Sequence, residues 1–139
     1  FEWYKNIDGK GMATWYKNTG GWWNNSIMKS GDGISVEEQQ NDNNSLLNYY
    51  KKMIQLKQSN AALAQGKYAN APNSNSQVFS FYRMFETEKV LVAVNLSNEM
   101  QAANFKVDFN NYRTLFGKTN LKEKTLQLSP YEVVVLKLK

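Results

Sequence analysis

Aromatic rings interleaved with amides and carboxylates are the residues here whose types and spacing could do chemistry. All four tryptophans, Trp3, Trp15, Trp22 and Trp23, fall in the first 23 residues, with Tyr4 beside the first of them. Asn6, Asp8, Asn18, Asn24 and Asn25 lie among them. A sugar presents an apolar C–H face rimmed by hydroxyls. A ring can cover that face while a neighbouring amide or carboxylate takes the hydroxyls. Packing is the competing use, because each such ring buries roughly 150–250 Å² when covered. The candidate substrate-binding residues are therefore Trp3, Tyr4, Trp15, Trp22 and Trp23, on a loop that either binds a ligand or covers a neighbouring domain.

Other chemistry is scarce. The chain has no Cys and no His, which removes thiol and imidazole nucleophiles, Ser-His-Asp arrangements, disulfides and the usual zinc sites. Glu37 and Glu38 are adjacent, and neighbours on a helix point about 100° apart, so they do not converge on one substrate atom. Asn6-Ile7-Asp8-Gly9 has calcium-loop composition, but the loop register would place Tyr4 and Trp15 at ligand positions, where neither binds the ion. No phosphate-cradling glycine motif occurs. Asn24-Asn25-Ser26, Asn43-Asn44-Ser45 and Asn95-Leu96-Ser97 match the glycosylation pattern, as chance allows in an Asn-rich chain. We expect no catalytic residue, no metal and no cofactor in this chain.

The net charge is +5. Basic charge raises nucleic acid as a partner. The cations are scattered lysines with only Arg83 and Arg113, whereas base readout leans on Arg forks. A solvated lysine surface is the expected use, with no nucleic-acid partner. No apolar run approaches the roughly 20 residues of a membrane helix, and no membrane partner is expected. The chain opens on Phe1 rather than Met, which suits a processed or trimmed product.

The elements that must position the aromatics are unevenly spread. Residues 1–34 have turn chemistry at Asn18-Thr19-Gly20-Gly21 and Ser30-Gly31-Asp32-Gly33 and no period of 2 or 3.6. Ser35 and Glu38 are spaced as a capping box for one short helical turn. Asp42 to Gln58 carries the sustained helical period, with Leu46, Leu47, Tyr50, Met53 and Ile54 on one face and Asp42 or Asn44 as cap. Gly66 stops it, with Leu63 under the last turn. Asn70 to Gln77 reads as a turn. Strands are expected over 78–85, 90–96, 103–109, 112–116, 125–128 and 131–138, with a turn at 86–89. Residues 90–96 are apolar on both faces, as a central sandwich strand would be. Together these make a mainly β chain, an antiparallel sandwich preceded by one α-helix and a long aromatic loop.

The order FEWYKN, TWY, DGISVEEQ, SLLNYYKKMIQLKQSNAAL, VFSFYR, EKVLVAVNLS and LSPYEVVVLKL resembles the C-terminal end of the α-amylase-family glycoside hydrolases. The resemblance covers essentially the whole chain. It implies that residues 1–65 are a remnant of the (β/α)8 barrel, the loop after strand eight and the last helix. Residues 66–139 would be the Greek-key-like β-sandwich called domain C. Asn43 and Ala61 stand where the family often has proline, and the family's Arg-Glu-Pro-like lead-in would precede Phe1. The family's catalytic carboxylates lie on earlier barrel strands, and no position here matches them. The implied function is a non-catalytic C-terminal fragment of an enzyme acting on α-glucans (starch, maltodextrin), its sandwich stabilising the barrel. The alternative is a free-standing carbohydrate-binding module using the Trp-rich loop. The implied partners are the barrel and, in the complete enzyme, the glucan. Without a barrel, the helix's apolar face would turn to the sandwich, to residues 1–41, or to a second copy in a homo-oligomer.

Overall fold

The computed structural model describes residues 2–9, 11–12, 17, 19–21, 29–107, 109 and 111–138. The order of elements is α1 (Val36–Asn41), α2 (Leu46–Gln58), α3 (Ala61–Gln65), β1 (Lys67–Asn70), β2 (Val78–Phe85), β3 (Glu88–Asn95), β4 (Gln101–Asn104), β5 (Tyr112–Phe116), β6 (Asn120–Lys122), β7 (Thr125–Leu128) and β8 (Val133–Leu138). The chain divides into two compact units, Phe1–Ile54 and Gln55–Lys139.

The larger unit is the expected antiparallel sandwich. One sheet has the order β1-β2-β3-β8-β5 and the other β4-β7-β6. Between the sheets, Leu91 and Ala93 of β3 and Val134, Leu136 and Leu138 of β8 meet Ala103 of β4 and Leu126 and Leu128 of β7. The alternate residues of the same strands, Val90, Val92 and Val135, form a second cluster on the outer face. Ala62 is buried there, with Leu56 and Leu63 packed beside it. This is why β3 reads as apolar on both faces. One side meets the second sheet, and the other meets a helical cover.

Side-chain polar groups lock these pieces together. Arg83 donates from Nε to the Ala62 carbonyl at 3.4 Å, and the Ala62 N–H donates to Glu88 Oε2 at 3.4 Å. The other Glu88 oxygen pairs with Lys137. Asn95 is buried, at 1% exposure, where β3 ends. Its Nδ2 donates to the carbonyls of Glu99 at 2.7 Å and Ser129 at 2.8 Å, and its Oδ1 accepts from the N–H of Ser97 at 2.9 Å. An amide so engaged and so buried is no glycan acceptor.

Several boundaries differ from the sequence expectation. The α2 helix begins at Leu46 rather than Asp42. Ser45 caps it, its Oγ accepting from Asn48 N–H at 3.2 Å, while Asp42 closes only a local turn onto Asn44 at 2.8 Å. Residues 61–65 make a separate helix, α3, with Asn60 at its N-cap. Gly66 ends it in extended backbone (φ −62°, ψ 153°). Glycine is required there by proximity, because an added Cβ would sit 2.3 Å from the Ala62 carbonyl oxygen. The hairpin turn between β2 and β3 is only Glu86-Thr87, and β8 starts two residues after Tyr131, which has φ 54°. The expected strand over 103–109 ends at Asn104. Phe105 makes a lone bridge to Asn73, and Phe105 and Phe109 still enter the core, edge to face at 6.0 Å. The short β1 and β6 were not anticipated.

Candidate functional site

In the smaller unit, segment 2–7 is stitched to segment 30–37. The first N–H groups of a helix have no partner within it. Here the N–H of Val36 donates to the Glu2 carbonyl at 2.9 Å, and that of Glu37 to the Trp3 carbonyl at 3.0 Å. The N–H of Glu38 donates to Ser35 Oγ at 3.3 Å. The expected Ser35–Glu38 pairing is present, the Ser35 hydroxyl donating to Glu38 Oε2 at 2.7 Å. That hydroxyl, followed by the Gly33 and Ser35 backbone N–H groups, holds the Glu38 carboxyl below the usual glutamate range. Gly31 N–H donates to the Lys5 carbonyl at 3.1 Å, and Ile7 N–H to Ser30 Oγ at 3.1 Å. The short segment bearing Trp3 and Tyr4 is thus fixed by α1 and the turn before it.

Two clefts flank Tyr4. One, of about 270 Å³, is lined by Trp3, Tyr4, Val36, Glu37 and Gln40. The other, of about 650 Å³, is lined by Tyr4, Asn6, Gly9, Gly11 and Glu37. Trp3 and Tyr4 are about half exposed, at 53% and 49%. Asn6 and Asp8 shape the floor loop, the Asp8 N–H donating to Asn6 Oδ1 at 3.0 Å and Lys17 pairing with Asp8 at 2.5 Å. Of the five candidate binding residues, the structure brings Trp3 and Tyr4 together. Trp15, Trp22 and Trp23 lie outside the described residues.

Glu37 is the residue that sequence reasoning passed over. Its Oε2 accepts from the Lys5 N–H at 2.7 Å, whereas Glu38 turns to Ser35 and to the Gly33 N–H at 3.2 Å. The two carboxylates diverge, as adjacent helical positions dictate, so they form no acid/base pair. Yet one of them enters both clefts. Only the long-range pairing of segments 2–7 and 30–37 reveals that, and no local motif encodes it. Among the described residues, no three His, Cys, Asp or Glu side chains gather to hold a metal ion.

On α2, Leu46, Tyr50 and Ile54 are spaced by four and exposed at 66%, 60% and 54%. They form an apolar ridge along one side of the helix. Leu47, Met53 and Leu56 are partly covered.

Residues 78–135 match the family model described as the α-amylase SusG C-terminal domain. Alpha-amylase 3 of Dictyoglomus thermophilum is 28% identical over 109 residues, covering 78% of this chain and 22% of that protein. The oligo-1,6-glucosidase of Bacillus cereus is 28% identical over 115 residues, covering 76% of this chain and 20% of that protein. The chain thus spans about a fifth of the length of these curated relatives. The crystal structure of the α-amylase from H. orenii superimposes with a TM-score of 0.70 at 24% identity, covering all of this chain and 28% of that one, a likeness of fold. Sequence order, two-sheet architecture and matched region agree, and the chain is similar to the C-terminal segments of α-amylase-family glycoside hydrolases.

Proposed function

We propose that this chain is the non-catalytic C-terminal part of an enzyme that hydrolyses α-glucans such as starch and maltodextrin. In this reading the sandwich and α2 pack on a catalytic (β/α)8 barrel and stabilise it. Residues 1–65 are the barrel's last loop and helix, and residues 66–139 are the domain that covers it. The observation that carries the reading is the exposed ridge of Leu46, Tyr50 and Ile54. Three large apolar side chains in register on a helix are favoured only when another surface covers them. The relatives, about four times as long, offer a source for such a surface. Trp3 and Tyr4, flanked by Asn6 and Glu37, then border the glucan cleft.

The test has two arms. The purified chain should release no reducing sugar from starch, and specific release would refute the non-catalytic reading. Joined to a family barrel that carries its own carboxylates, the chain should lengthen the half-life of that barrel's activity on heating. Tyr50→Lys with Ile54→Glu should remove the gain. A barrel indifferent to the chain would refute the stabilising role.

A further inference from the structure

We infer that Glu37 is a saccharide-binding residue, a hydroxyl acceptor that lets the Trp3–Tyr4 segment read the hydroxyl pattern of a bound glucan. The inference rests on the reading above that these aromatics face a glucan. It goes beyond that reading by assigning the polar half of the recognition to a single side chain.

Among the described residues, Glu37 and Tyr4 are the two common to both clefts. A saccharide lying across Tyr4 would pass the Glu37 carboxylate in either one. The carboxylate is held in place before any ligand arrives, since Oε2 accepts from the Lys5 N–H at 2.7 Å. The same residue's own N–H is bound to the Trp3 carbonyl at 3.0 Å, joining ring-bearing and carboxylate-bearing residues main chain to main chain. Such preorganisation spares the ordering cost of binding. An ionised carboxylate has about four lone-pair sites, and one bond to Lys5 leaves Oε1 open to sugar hydroxyls. Hydrogen bonds to a charged acceptor are about twice as strong as neutral ones. Gln40, which lines the smaller cleft, and Asn6, which lines the larger, supply amides that both donate and accept.

The decisive variant is Glu37→Gln, which keeps an oxygen for the Lys5 N–H and places an NH2 donor where the sugar would meet an acceptor. The whole chain is titrated with maltotriose, followed by tryptophan fluorescence and by the amide resonances of Lys5 and Glu37. Wild type should show a saturable shift, and Tyr4→Ala should lose it. Glu37→Gln should bind about tenfold more weakly, about 1.4 kcal/mol, with its thermal midpoint and Lys5 amide protection unchanged. Wild-type affinity in Glu37→Gln would overturn the inference, as would no saturable shift in wild type. Weakening that comes with lost Lys5 protection would assign Glu37 a structural role only, and also overturns it. A chain that ignores maltotriose yet still protects a barrel from heat would sink this inference and leave the stabilising role standing.

Discussion

Glu37 and Lys5 are 32 residues apart in sequence and joined by a 2.7 Å hydrogen bond from the Lys5 N–H to the Glu37 carboxylate. That bond closes the segment carrying Trp3 and Tyr4 onto the first turn of α1. Glu37→Ala should therefore free the Lys5 amide, raising its hydrogen-exchange rate about tenfold, since a hydrogen bond of this kind contributes on the order of 1 kcal/mol at an exposed position. Exchange at β3 amides should not change. Equal acceleration in both regions would show that the bond does not act locally.

Asn95 joins the end of β3 to the turn before β8. Asn95→Ala leaves the Leu128 and Ser129 carbonyls without their side-chain donor. The expected loss is about 2–4 kcal/mol, read as a lowered urea midpoint with an unchanged denaturant slope. Asn95→Asp should cost more, because it turns an acceptor toward those carbonyls. An Asp variant as stable as wild type would refute this account.

Gly66 admits no side chain. An added Cβ would meet the carbonyl oxygens of Ala62 at 2.3 Å and Met84 at 2.9 Å, both backbone atoms. Neither can swing aside as a side-chain tip would. Gly66→Ala should cost about 3 kcal/mol, at the upper end of overpacking penalties, and lower the thermal midpoint by roughly 10 °C or more. A drop of only a degree or two would mean that α3 shifts freely.

Glu88 and Glu38 give the chain an acid-sensitive contribution. The side-chain hydrogen bond with Lys137, assisted by the Ala62 N–H, lowers the Glu88 pKa from the ordinary 4.5. Glu38 is lowered by Ser35. A depressed folded-state pKa means that the unfolded chain takes up the proton first. The stabilisation is complete above the unfolded value and is lost as pH falls through the folded one. The urea midpoint should fall between about pH 6 and pH 3, and Glu88→Gln should flatten that dependence. An unaltered slope in the variant would exclude Glu88 as a contributor.

The sandwich was legible because its strands bury alternate residues on two different surfaces. Thr125–Leu128 and Tyr112–Phe116 match the expected bounds residue for residue. Val90–Val94 betrays its central place by being apolar throughout. The start of α2 differs because Asp42, Asn44 and Ser45 are all competent caps, and it is Ser45 whose hydroxyl takes the Asn48 N–H. β1 and β6, at four and three residues, are too short for alternation to register. The candidate site was half legible. Composition marks Trp3 and Tyr4, but Glu37 joins them through main-chain pairing across more than thirty positions, which no periodicity encodes.

The double burial of β3 has one more consequence. Leu91 and Ala93 serve the inter-sheet core while Val90 and Val92 serve the cluster under Ala62, so both are anchored to a single ribbon of backbone. Peeling the helical cover away wets the back of the strand that holds the two sheets together. Melting within residues 55–139 should accordingly be all-or-none, with helical and sheet signals vanishing at one temperature.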